Sequence, residues 1–185
     1  MNKPATPATL TIKVLIVAKT RQGSGACIGA ISADGRSLRL ISADADQDEF
    51  AGREYEVGDV WEIHASPPAT VLPPHTENII VHQKRKLASQ IDARATIERF
   101  MPPKAGGIHV LHEGLVQVGH KGTLYIAEKS GVPNYTTLFW RPDAPLYRHC
   151  DGKRIRYAYP TETGEGYTLA YVGFQDPVEI IPAGA

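Results

Sequence analysis

The sequence predicts a mostly β protein, with two small five-stranded barrels or sheets in tandem joined by a short helix. Three observations carry this. About ten short runs rich in β-branched and aromatic residues are bounded by turn signals. Only one stretch, near the middle, has convincing helical spacing. The strands do not alternate with helices, as a parallel α/β sheet requires. The 185 residues, 42% hydrophobic and 22% charged, suit one soluble domain or two small ones. They are enough to bury a core without covalent staples.

The elements follow in order. Residues 1–9, "MNKPATPAT", are Pro/Thr/Ala-rich and read as a loose tail. "LTIKVLIVAKT" is a strand that ends at the turn-like "RQGSG". "ACIGAISADGRSLRLIS" is a hairpin about Asp34-Gly35, a dipeptide suited to a type I′ turn. An acidic loop follows, then Gly58-Asp59 leads into the alternating strand "VWEIHA". "SPPATVLPPH" has four prolines in ten residues and must be irregular. "ENIIVHQKRKL" is a strand entering a basic patch. The helix is "ASQIDARATIERFM", with Ser89 as N-cap, Asp92 three residues on, and Pro102-Pro103 as the stop. "GLVQVGHKGTLYIAE" gives two short runs, "YTTLFW" a strand, and "PLYRHCDGKRIRYAYP" a second hairpin about Asp151-Gly152. "YTLAYVGF" and "VEIIPA" close the chain.

Formal net charge is zero, so bulk charge does not argue for nucleic acid. The distribution is uneven. Residues 43–62 carry net −7, residues 84–104 net +4 and residues 141–160 net +3. The two cysteines, Cys27 and Cys150, stand far apart in no CxxC pattern, so a reduced cytoplasmic setting is expected rather than a disulfide framework. The longest apolar run near the N-terminus, "VLIVA", is too short for a signal sequence or a membrane span.

Several motifs have plainer readings. "GSGACIG" follows a strand, but its spacing is GxGxxxG and a strand follows it, so a dinucleotide fingerprint gives way to a β-turn. The loop retains one use: Lys19, Arg21, Gly23 and Gly25 are a candidate phosphate loop through backbone N–H groups. "DADQDEFAGREYE" starts like a calcium loop at Asp44, Asp46 and Asp48, but has Glu49 where Gly is needed and Tyr55 where Glu is needed. His109, His112 and His120, even with His149 and Cys150, lack the spacing of a tetrahedral metal site. Cys27 lies in an apolar run, as buried core cysteines do. Ser24, Ser42 and Ser130 lie in no nucleophile elbow. No catalytic pair, metal or cofactor is predicted.

"FWRPDAPLYRHCDGKRIRYAY" interleaves aromatics with cations, the pairing that stacks bases and follows phosphates. Strand alternation separates them. Arg154, Arg156 and Ala158 share one face, and Ile155, Tyr157 and Tyr159 the other, so the basic face has no aromatic of its own on that strand.

"IVAKTRQGSGACIGAIS", "SLRLIS", "EYEVGDVWEI", a basic strand, then "TTLFWRPDAPL" and "GKRIRYAY" follow an order that resembles bacterial dual OB domain-containing proteins, over about Leu10 to Pro182. The chain departs from that pattern after its second strand, where relatives place a Trp and an Arg-Pro and this sequence has "SLRLISAD". The resemblance implies two OB-like barrels, residues 10–87 and 105–185, with residues 88–104 as a helical connector. OB folds commonly bind single-stranded nucleic acid or oligosaccharide. The resulting expectation is a non-enzymatic binding protein for single-stranded DNA or RNA. Lys84, Arg85, Lys86, Arg141, Arg148, Lys153, Arg154 and Arg156 would meet phosphate, and Trp140, Tyr147 and Tyr157 would stack on bases. Two alternatives remain open: a protein-interaction module that docks its charged segments on a partner or within an oligomer, and a small nucleotide-binding module.

Overall fold

The computed structural model describes residues 9–44, 52–152, 154–161 and 166–185. Most of the predicted N-terminal tail, the centre of the acidic loop and Lys153 lie outside them. The chain divides into two compact units, Met1–Met101 and Pro102–Ala185.

The first unit is a closed five-stranded barrel. Its strands are β1 (Leu10–Gln22), β2 (Gly25–Ser32), β3 (Ser37–Ser42), β4 (Val60–Ser66) and β5 (Asn78–Ala88), joined in the order β1-β2-β3-β5-β4. Closure needs β1 to serve two partners. Its first half pairs with β4 and its second half with β2, and the register slips between Ile16 and Ala18. A bulge of this kind bends a strand and raises its twist. All pairings are antiparallel except β3 with β5.

The core follows from period-two alternation. Val14 and Ile16, Ile28 and Ala30, Leu38 and Leu40, Trp61, Ile63 and Ala65, Ile79 and Val81 all point inward, and Tyr55 joins them from the loop before β4. The Tyr55 ring meets Trp61 edge-on at 4.8 Å. Burial pushes the Tyr55 hydroxyl up to a pKa of about 12.

The first hairpin turns where expected but in a different form. Gly35 is the left-handed residue, at φ +86°, while Asp34 is not. Gly35 N–H donates to Ser32 O, and Ser32 N–H to Arg36 O. This is the three-residue loop with a left-handed glycine rather than type I′. Glycine is needed here twice over, because a Cβ would also stand 2.4 Å from the Phe100 ring.

Phe100 belongs to α1 (Arg94–Phe100), which is shorter than predicted. Its first-turn cap is also different. Arg94 N–H donates to Asp92 Oδ1 at 2.8 Å, while Ser89 is drawn away to hydrogen-bond the Asp59 carboxylate. The helix lies in the first unit and packs on its first hairpin.

The second unit holds β6 (Lys104–Gly106), β7 (Val116–Val118), β8 (Leu124–Ile126), β9 (Trp140–Pro142), β10 (Leu146–Asp151), β11 (Arg154–Tyr159), β12 (Tyr167–Ala170) and β13 (Ile180–Ile181). Its main sheet has the order β12-β11-β10-β13, and β6-β9 and β7-β8 form separate two-stranded pairs. Among the described residues this unit is an open sheet with ladders rather than a second closed barrel. The predicted strand at "YTTLFW" shrinks to its last residue. Tyr135 is instead fixed by side-chain contacts: its hydroxyl donates to Glu113 at 2.6 Å and its ring stacks on His112 at 5.3 Å. No helix among the described residues is long and apolar enough to cross a membrane.

One buried carboxylate, paired with a partly exposed lysine, makes the barrel's stability depend on pH. The Asp59 side chain is 3% exposed and meets Lys86 Nζ at 2.7 Å. Burial alone would raise its pKa. Hydrogen bonds from Lys86, the Glu56 N–H and Ser89, with the Lys86 charge, hold it below the ordinary value of 3.8. A carboxyl lowered on folding stabilises above its unfolded pKa, and that contribution is lost as pH falls through the folded value. Lys86→Met should cost roughly 1–3 kcal/mol at pH 7, the cost of a buried group stripped of a partner. The gap to wild type in urea unfolding should narrow as pH falls through the carboxyl's lowered folded value. A gap that does not change with pH contradicts this assignment.

Candidate nucleic-acid interface

The β10-β11 register changes how the aromatic and basic strip is read. Tyr147 pairs with Ala158, His149 with Arg156 and Asp151 with Arg154. Residues paired across an antiparallel ladder share a face. The basic face of β11 therefore has an aromatic after all, supplied by the neighbouring strand. Tyr147 is 48% exposed, His149 and Arg154 are exposed, and Arg156 is half-buried. The face continues through Thr168 and Ala170, which oppose Ala158 and Arg156 on β12, and through Ile180, which opposes Tyr147 on β13.

The other face is packed. Tyr157 is 4% exposed, its hydroxyl donates to Val178 O at 2.6 Å, and its ring meets Tyr171 edge-on at 5.9 Å. It offers no ring face to a base. Burial raises its pKa. Arg148 lies on this side opposite Tyr157, donating to Pro177 O and pairing with Glu179. Trp140 is half-buried; its indole N–H donates to Gly106 O at 2.8 Å and its ring tilts against Tyr159 at 5.7 Å. Tyr159 in turn stacks on Tyr167 and donates to Asp143, a bond that pushes its pKa up to about 12 together with burial. Arg141, next to Trp140 on β9, is half-buried and pairs along the strand with Ala105. Of the predicted contacts in this unit, Tyr147, Arg154 and Arg156 share one sheet face. Arg148, Tyr157, Trp140 and Arg141 lie elsewhere, and Lys153 is outside the described residues.

The basic strand of the first unit is balanced from within. Lys84 pairs with Glu54, Arg85 with Glu62 at 2.9 Å and Lys86 with Asp59 at 2.7 Å. Lys84 also lies over the Tyr55 ring at 4.9 Å, and Lys86 over Trp61 at 5.7 Å. Three bases of the +4 segment thus meet three carboxylates of the −7 segment.

The candidate phosphate loop is a tight two-residue hairpin, with Gln22 paired to Gly25 and Gly23 at φ +59°. Lys19 turns from it to Glu56 at 2.6 Å and to Arg53 O at 2.9 Å, with its side chain 8% exposed. Arg21 is exposed. Beside this hairpin a groove of about 670 Å³ runs over β2, β3 and β5, and Arg39 is among its lining residues. Sequence reasoning passed over Arg39. Its signal was an arginine alternating out of the core between Leu38 and Leu40.

Among the described residues, no three His, Cys, Asp or Glu come together as a metal site. Most of the calcium-like motif, including Asp46, Asp48 and Glu49, lies outside them, while Tyr55 is in the core. Both cysteines are free thiols.

A small antiparallel barrel closed by one parallel pair, in the order β1-β2-β3-β5-β4, is the OB architecture, a class of binding module. The chain belongs to the family of the dual OB-containing domain, whose model matches residues 12–184. A solved structure described as "Structural mimicry for functional antagonism" aligns with a TM-score of 0.40 at 10% identity, covering 100% of this chain and 83% of its own. No curated protein matches the sequence.

The two tyrosines of this sheet should separate cleanly. Tyr157→Phe removes a buried hydroxyl and leaves Val178 O short of its donor, at a cost of about 1 kcal/mol in urea unfolding. Tyr147→Phe, on the exposed face, should stay within about 0.5 kcal/mol of wild type. Equal costs would contradict the assignment of the two faces.

Proposed function

We propose that this chain is a non-catalytic binding protein for single-stranded nucleic acid, and that the outer face of the second unit's sheet is its contact surface. The observation that carries the proposal is the shared face of Tyr147, His149, Arg154 and Arg156. An exposed ring offers a stacking platform of about 1–3 kcal/mol per base, sequence-tolerant because every base has a π-face. Arginines one strand away offer phosphate contacts at the spacing of the sheet. In this reading the second unit is the second OB-like domain of the family, carried as an open sheet. Within the first unit, Lys84, Arg85 and Lys86 are engaged by Glu54, Glu62 and Asp59, which favours the sheet face over a docking role for that basic strand.

The test is an anisotropy titration with a labelled single strand at several salt concentrations. Wild type should bind at about 50 mM salt and weaken steeply as salt rises. Arg154→Gln with Arg156→Gln should flatten the log K against log salt slope by about 1 to 1.5, two phosphates at roughly 0.7 each. Tyr147→Ala should lose about 1–3 kcal/mol and leave the slope unchanged. Absence of binding at low salt, or a double variant that binds like wild type, sinks the proposal.

A further inference from the structure

Arg39 keeps company unlike that of the first unit's ion-paired cations. Lys19, Arg36, Lys84, Arg85 and Lys86 each meet a carboxylate. Arg39 does not. Its Nε donates to Cys27 Sγ at 3.0 Å, its Nη2 to Gln22 Oε1 at 3.4 Å, and its Nη1 meets His75 Nδ1 at 3.3 Å. A guanidinium only donates, so His75 accepts at Nδ1 and carries its proton on Nε2. The three partners are a thiol, an amide and an imidazole. Among the described residues no carboxylate pairs with Arg39.

These partners fix the guanidinium without neutralising it. They come from the β1-β2 hairpin, from β2 and from the proline-rich connection before β5, so three separate segments hold one side chain in place. The positive charge that remains faces the groove of about 670 Å³, a size ordinary for small-ligand sites. Ser24, Ser42, His82, Gln83 and Lys84 also line it and are able to donate hydrogen bonds, while Asp44 adds a carboxylate to the rim that a bound anion must avoid. A planar guanidinium offers two parallel N–H groups to an oxyanion, and the surrounding donors suit an anion with several oxygens.

We propose that this groove is a binding site for a phosphate-bearing small molecule, with Arg39 as its charged anchor. The site is separate from the sheet face of the second unit and does not depend on it. Free phosphate and a nucleoside 5′-monophosphate share the chemistry that Arg39 recognises, and the experiment distinguishes them.

The test is calorimetric titration of the full chain with inorganic phosphate, a nucleoside 5′-monophosphate and the matching unphosphorylated nucleoside, at constant ionic strength. Saturable binding of either phosphate-bearing probe, with none of the nucleoside, is the expected result. Tighter binding of the nucleotide marks it as the preferred source; equal binding marks phosphate alone as the recognised group. Arg39→Gln, its fold checked by circular dichroism, should weaken binding at least about tenfold, the loss of a charge-assisted contact. Should that variant not fold, Cys27 reports instead in a Cys150→Ser chain. An occupied groove should slow Cys27 alkylation with phosphate relative to chloride at the same ionic strength. The proposal is overturned if neither phosphate probe binds below about 10 mM, far weaker than ordinary specific affinities. It is equally overturned if a folded Arg39→Gln binds like wild type, or if Cys27 alkylation ignores phosphate.

Discussion

The barrel of the first unit depends on one corner, Gly58-Asp59. Ile16 N–H donates to Asp59 O and Gly58 N–H to Ile16 O, which ties the bulge of β1 to the start of β4. Ile91 N–H donates to Gly58 O, which brings in the segment between β5 and α1. The Asp59 carboxylate gathers Lys86 from β5 and the Glu56 N–H. Gly58 sits at φ +91°, and a Cβ there would stand 2.8 Å from Ile91 O. A side chain would thus face both a strained backbone conformation and a blocked approach. A barrel closes only if its first strand can leave one neighbour and join another. The bulge supplies the bend, and this corner fixes where the bend falls.

The same corner explains how a chain of zero net charge uses its charges. Carboxylates of the acidic segment are placed around the corner and along β4, where β5 runs alongside with Lys84, Arg85 and Lys86. Exposed pairs such as Arg85–Glu62 contribute little, about 0–1 kcal/mol. The Lys86–Asp59 pair differs because one partner is buried, so removing its cation leaves a desolvated carboxylate. A basic run in a sequence is an electrostatic footprint only where its own fold leaves it uncompensated. That condition points away from β5 and toward Arg39.

Much of the fold was legible because strand alternation is local. Trp61, Ile63 and Ala65 on β4, or Leu38 and Leu40 on β3, announce a buried face within one strand. What was not legible depends on partners distant in sequence. Ser89 has the spacing of a helix cap, yet Asp59, thirty residues earlier, takes its hydroxyl. "YTTLFW" has strand composition, yet Tyr135 is held by Glu113 and His112 instead of a ladder. Arg39 looks like any exposed arginine until Gln22, Cys27 and His75 converge on it from three places in the chain.

The strip from Phe139 to Tyr159 shows the same limit most sharply. Within β11 alone, the period of two puts the arginines on one face and Tyr157 and Tyr159 on the other. That reading is correct for the strand and incomplete for the sheet. A sheet face is assembled from several strands, and a one-residue change of register would exchange Tyr147 for Arg148 opposite the arginines. The β10-β11 turn therefore fixes more than a hairpin. It decides whether cations face an exposed aromatic ring or another cation. The residues that determine the proposed contact surface thus include those that set the register, although none of them need touch a ligand.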